Sequence, residues 1–329
     1  MEREQGSGEF VREPLGVAGR ITAEESAPWP VAPGRYRLVG ARACPWANRV
    51  IITRRLLGLE DAISLGIAGP LHDERSWRFH LDPGNVDPVL GIEYLREAYE
   101  KAVPGYDDGV TVPAMVDVAS GKVATNDYAA LERDLSTEWR EFHRDGAPDL
   151  WPDAGEIDRI GEGIFDDVNN GVYKCGFAGT QDAYDRAYRA LWDRLDALSG
   201  HLSDRRYLVG DTITQADIRL WVTLVRFDAA YHGHFKANRH KLTELPVLWA
   251  YARDLFQTPG FGDTIDFEQV KQHYYGVHTS INPTGIVPDG PDPSGWLTPH
   301  GRDELGGRPF GDGTPPGPPP GNERVPPLT

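Results

Sequence analysis

Hydrophobic positions along the chain change their spacing in a way that predicts two kinds of architecture. A strand-like run at 35–40 carries Tyr36, Leu38 and Val39, and a helix-like run at 46–57 carries Val50, Ile51, Leu56 and Leu57. A second strand follows at 62–68, so the chain opens as a β-α-β unit. The stretch 69–88 is polar and broken by Pro and Gly, with Trp77 and Phe79 inside it, and reads as an insertion. A helix is expected at 92–101. Residues 110–117 form a strand entered through Val112 and Pro113. Ser120, Gly121 and Lys122 make a turn, Val123 begins a short strand, and Asn126-Asp127 precedes a helical pattern from Tyr128.

From residue 157 onward the spacing becomes helical. Tyr184, Tyr188, Leu191, Trp192, Leu195 and Leu198 recur at steps of three and four, one apolar face of a helix over 181–198. Thr214 and Asp217 stand at capping-box spacing before Ile218, Leu220, Trp221, Leu224, Val225 and Phe227. Another helix is expected at 245–255. The reading is an α/β domain over 34–140 with a strand-hairpin-helix closure of thioredoxin type, then an all-helical domain over 141–287. Residues 1–33, rich in Gly, Pro and Glu, predict an arm wrapped over the body. Residues 288–329 lack periodicity and predict a disordered or draped tail.

Composition supports that division. With 329 residues, 40% of them hydrophobic and 26% charged, the chain is long enough for two cores. Its net charge of -16 excludes nucleic acid or an anionic membrane as the main partner. The start of the chain is polar and no run of 18 apolar residues occurs, so a cytoplasmic location is expected, where thiols stay reduced.

The candidate chemistry is Cys44, at the junction of the first strand and first helix. A sulfur at a helix start faces unpaired backbone N–H groups and the positive end of the helix dipole, which favours its thiolate. Pro45 suits the first helical position because it has no N–H to leave unpaired. No second Cys stands three residues on, so a small thiol from solution must complete any redox cycle. Pro113 is where a cis peptide is expected, with the Val112 backbone available to a thiol substrate.

Cys175 reads as packing, with a resolving thiol as its alternative. The tyrosines Tyr173, Tyr274 and Tyr275 read as packing when taken alone. His232 and His234 lack further ligands at metal spacing, so no metal is expected. Asp217 reads as a helix cap.

The blocks Cys44-Pro45-Trp46-Ala47, Asn169-Asn170-Gly171-Val172-Tyr173, Leu224-Val225-Arg226-Phe227, Tyr231-His232-Gly233-His234 and His273-Tyr274-Tyr275-Gly276 occur in this order. Together they make the chain resemble the glutathionyl-hydroquinone reductases, or Xi-class glutathione transferases, from about Tyr36 to Pro291. The resemblance implies a thioredoxin-like domain followed by an all-α domain, and a homodimer built mainly through the helical domains. It implies that Cys44 attacks the sulfur of a glutathionyl-hydroquinone thioether and becomes a mixed disulfide that a second glutathione resolves. It implies that Tyr173 and Tyr274 meet the hydroquinone, with Tyr275 an adjacent alternative for the latter. Trp77 matches a tryptophan lining the thiol site, beside Val112, Pro113, Asn126 and Asp127.

One departure concerns the thiol itself. The resemblance leads one to expect Glu-Ser where this chain has Asn126-Asp127, and an Asp is a poor neighbour for a glutamyl carboxylate. A sugar-based thiol such as mycothiol would suit Asp127 better. Lys supplies only 6 of the 34 basic residues, a bias that fits a high-GC host able to make one. Two other readings compete: a general transferase or dethiolase for small electrophiles and mixed disulfides, and a non-catalytic binding protein with a transferase fold. A scaffold has no need to keep the nucleophile and both phenols together.

Overall fold

The computed structural model describes residues 8–12 and 14–328. Strand β1 (Tyr36–Gly40) leads through helix α1 (Pro45–Leu57) to β2 (Ile63–Ile67), which pairs with β1 in parallel and sets Leu38 against Leu65. Strands β3 (Ala114–Asp117) and β4 (Lys122–Thr125) add antiparallel pairs, giving the order β2-β1-β3-β4. The Val112–Pro113 peptide is cis, as the sequence suggested. Regular pairing begins at Ala114 rather than at 110, consistent with a proline that has no N–H to donate.

Helix α2 (Arg96–Ala102) starts later than its spacing predicts. The insertion explains the difference: Phe79 N–H donates to the Glu93 carbonyl and Leu95 N–H to the Trp77 carbonyl, so Tyr94 is bridged to Arg78 and kept out of the helix. Helix α3 (Tyr128–Thr137) follows, capped by Asp127.

The helical part comprises α4 (Ala154–Gly163), α5 (Gly171–Gly176), α6 (Gln181–His201), α7 (Gln215–Leu224), α8 (Pro246–Gln257) and α9 (Phe267–Val277). The Thr214–Asp217 capping box opens α7 as expected. Beyond Leu224 the apolar run leaves α geometry for a wider π turn at Phe227–Tyr231.

Helix α1 is buried along its whole length, which an amphipathic pattern would not produce. The sheet covers one side, and the other side meets the helical domain and tail through polar residues. Asn48 donates to Thr264 Oγ1 at 2.8 Å, Thr53 accepts from Gln215 at 2.8 Å, and Arg54 grips both carboxylate oxygens of Glu323 at 2.8 Å. These buried polar groups are satisfied by distant segments, so they tie the two domains together.

The tail is draped. Trp296 is buried against Trp249 and Phe256, and Glu323 reaches back to α1. Isolated anchors in irregular chain leave no periodicity for sequence reasoning to find. The arm lies across β4, with Ala18 bridging Thr125. A Cβ on Gly19 would sit 2.2 Å from the Ala124 carbonyl oxygen, so this approach needs glycine.

Candidate active site

Cys44 is the N-cap of α1, with extended φ and ψ of -79° and 119°, and its sulfur accepts the Ala47 N–H at 3.5 Å. The thiol in turn donates to the Val112 carbonyl at 3.4 Å, across the strand entry made by the cis proline. The helix terminus is therefore where the sequence put it, but the expected thiolate is not the favoured form in this arrangement. Only 8% of Cys44 is exposed, and burial raises its pKa above the ordinary thiol value. The Ala47 N–H, Arg226, the Trp46 N–H and Arg12 all pull the other way without overcoming the lost hydration.

Across from Cys44, three phenols meet. Tyr173 on α5 and Tyr274 on α9 have their hydroxyls 2.7 Å apart, and Tyr231 lies 2.8 Å from the same Tyr274 oxygen. Burial raises the pKa of all three, so they stand as neutral donors. For Tyr173 a negative Cys44 would raise it further, whereas Arg12 lowers it.

A cavity of about 170 Å³ opens beside this group, walled by Phe10, Arg12, Trp46, Thr111, Val112 and Tyr173 among others. Cys44 is not on that wall; its sulfur touches Val112, which is. The arm supplies the roof. The Arg12 guanidinium lies 4.3 Å from the Trp46 ring centre and 4.9 Å from that of Tyr173, and donates to Asn170 Oδ1. Phe10 stacks on Tyr173 with ring centres 6.0 Å apart.

Trp77 is buried in the same apolar cluster as Cys44 and stacks on His273 at 5.0 Å. Of the adjacent tyrosines, Tyr274 joins the phenol group, while Tyr275 faces His234 with ring centres 4.6 Å apart. The expected thiol-binding role of Asn126 meets a competing arrangement. Its Oδ1 accepts the Val17 N–H at 3.0 Å, its own N–H donates to the Val17 carbonyl, and its Nδ2 donates to Thr111, so the arm engages both its side chain and its backbone. Asp127 accepts the Ala129 and Ala130 N–H groups as the cap of α3.

Cys175 is 2% exposed and burial pushes its thiol up to about 12. Both cysteines are free. His234 pairs with His278 at 3.2 Å, and among the described residues no three His, Cys, Asp or Glu side chains gather as a metal site would need. Among the same residues no helix is long and apolar enough to cross a membrane.

Sequence reasoning missed Arg12, Tyr231 and Arg226 as site residues. Arg12 sits in an aperiodic arm. Tyr231 stands in a block weighed only for its histidines, and Arg226 follows the last turn of α7 inside a block quoted for resemblance alone.

The model of the glutathione S-transferase C-terminal domain matches residues 181–254. Glutathionyl-hydroquinone reductase YqjG of Escherichia coli is 39% identical over 310 residues, spanning 90% of this chain and 93% of that protein. A glutathione transferase crystal structure from Gordonia bronchialis is 66% identical with a TM-score of 0.93, covering 94% of this chain and 97% of that one. An Xi-class transferase from Natrialba magadii is 39% identical with a TM-score of 0.83, over 88% of this chain and 89% of its own. The chain belongs to the Xi-class glutathione transferases, the family of the glutathionyl-hydroquinone reductases.

Proposed function

We propose that this protein reduces thioethers of hydroquinones with a small thiol, through a mixed disulfide on Cys44. The observation that carries the reading is that Tyr173, whose hydroxyl pairs with that of Tyr274, packs against the apolar cluster holding Cys44 at the α1 terminus and lies within reach of that sulfur's charge. The Cys44 thiolate attacks the thioether sulfur and the ring carbon–sulfur bond breaks. The carbon takes a proton from the phenol group, and Cys44 is left joined to the thiol by a disulfide. A second thiol returns its proton to the phenol group and attacks that disulfide, leaving joined to the first thiol as their disulfide and restoring the Cys44 thiolate. The two thiols lose two electrons in total and the ring carbon gains them.

Tyr173 and Tyr274 act as donors to the ring oxygen and the departing carbon, and Trp77, Val112 and Pro113 shape the thiol side. The arm over the cavity moves to admit substrate, since Cys44 is closed off beneath Val112. The glutathione of the named relatives is the first thiol to test. The Asn126-Asp127 pair supports a sugar thiol such as mycothiol in its place, because Asp127 accepts hydrogen bonds and would meet sugar hydroxyls more favourably than a glutamyl carboxylate. A cytoplasmic homodimer fits this chemistry. The test is turnover of glutathionyl- and mycothiyl-menadiol by the wild type and by C44A. Loss of both activities in C44A is expected, and undiminished activity would overturn the mechanism.

A further inference from the structure

Arg226 is fully buried just beyond the end of α7. Its guanidinium donates to the Ala43 carbonyl at 2.9 Å, the Arg42 carbonyl at 2.9 Å, the Val222 carbonyl at 2.8 Å and Asn48 Oδ1 at 3.1 Å. All four acceptors are neutral. Among the described residues no carboxylate forms an ion pair with it, whereas buried Arg37, Arg54 and Arg206 each hold one at 2.8 Å. Arg42, which also lacks a direct ion pair, still feels Glu323, Asp266 and Asp263.

A cation kept from water without a counter-charge is costly, and side chains in that state usually have a use for the charge. Two of its acceptors are the carbonyls immediately before Cys44. Its field reaches Cys44, Tyr231, Tyr274 and His273, and lowers the pKa of each. We propose that Arg226 is the positioning residue of this site: it fixes the backbone that presents Cys44, and its charge is neutralised only when that sulfur becomes an anion.

This rests on Cys44 being the nucleophile. The other groups facing Cys44 are Arg12 on the arm, Tyr173 on α5, the Val112 carbonyl and the N–H groups of Trp46 and Ala47. Arg226 differs from Arg12 in being part of the permanent interior rather than of the roof.

The test is iodoacetamide alkylation of Cys44 across pH, read by peptide mass on the full chain, with folding checked by circular dichroism. R226Q is expected to slow alkylation at pH 7 about tenfold, as loss of a nearby opposite charge does. R226K keeps the cation and recovers most of the rate. N48D leaves Arg226 in place but sets a carboxylate against it, in nearly the same shape, and is expected to slow alkylation as much as R226Q. If R226Q does not fold, N48D decides the matter. A folded N48D or R226Q that titrates Cys44 like the wild type would overturn the proposal and reduce Arg226 to a prop for the loop. Because this titration needs no substrate, its failure is distinct from continued turnover by C44A.

Discussion

The hydroxyls of Tyr173 and Tyr274 lie 2.7 Å apart although they stand 101 positions apart in the chain. That contact joins α5 to α9, and Tyr231 extends it to a third element. A phenol held by a neighbouring phenol is aimed, and it can pass on a proton while taking one back. Replacing Tyr274 by Phe is expected to lower kcat about a hundredfold on a hydroquinone thioether with little change in KM, the usual scale for a lost proton donor. Y275F is expected to stay near wild type, because that ring faces His234. Steady-state kinetics on both variants checks the assignment; equal losses would contradict it.

The draped tail makes a second prediction. Arg54 is fully buried and its charge is answered by Glu323 at 2.8 Å. E323Q leaves that guanidinium without a carboxylate in a dry site, which costs about 3 kcal/mol. Urea denaturation should show a midpoint lowered accordingly; an unchanged midpoint would mean that the tail contributes little to holding α1.

The histidines around α9 predict how stability depends on acid. Burial depresses His234 to about 4 and His278 to about 2, while half-buried His273 falls to about 3. Below the ordinary value of about 6.5 the unfolded chain therefore binds more protons than the folded one. Stability is full above that pH and is lost as pH falls toward those depressed values. Each histidine contributes a slope of up to about 1.4 kcal/mol per pH unit. Melting temperatures between pH 7 and 4 should fall steeply, and H278N should flatten the dependence.

The arm is a removable roof. Deleting residues 1–20 takes away Phe10 and Arg12 from over Tyr173 and Trp46. Alkylation of Cys44 is then expected to speed up about tenfold, because the sulfur regains hydration and access. Iodoacetamide kinetics on the truncated chain tests this; an unchanged rate would place the barrier to Cys44 elsewhere.

Local signals were legible in the sequence where one residue sets the geometry. Cys44 and Pro45 marked the start of α1, Pro113 the cis strand entry, and Thr214 with Asp217 the cap of α7. What escaped was whatever depends on distant segments meeting. Helix 92–101 was read too long because Trp77 and Phe79 hold the backbone before Arg96. The bonds that tie Asn126 to Val17 of the arm join residues 109 positions apart, and no local pattern shows them. The helix terminus at Cys44 correctly indicated a force toward the thiolate. Burial, which no local pattern shows, outweighs that force in the closed site.

The central claim is that the Cys44 sulfur itself takes the thiol from the ring. Mixing the protein with glutathionyl-menadiol in the absence of free thiol, then digesting it for mass analysis, tests this in one turnover. The account predicts one glutathionyl group on the Cys44 peptide, none on Cys175, and one menadiol released per protein. Menadiol released from a protein whose Cys44 stays unmodified would contradict it.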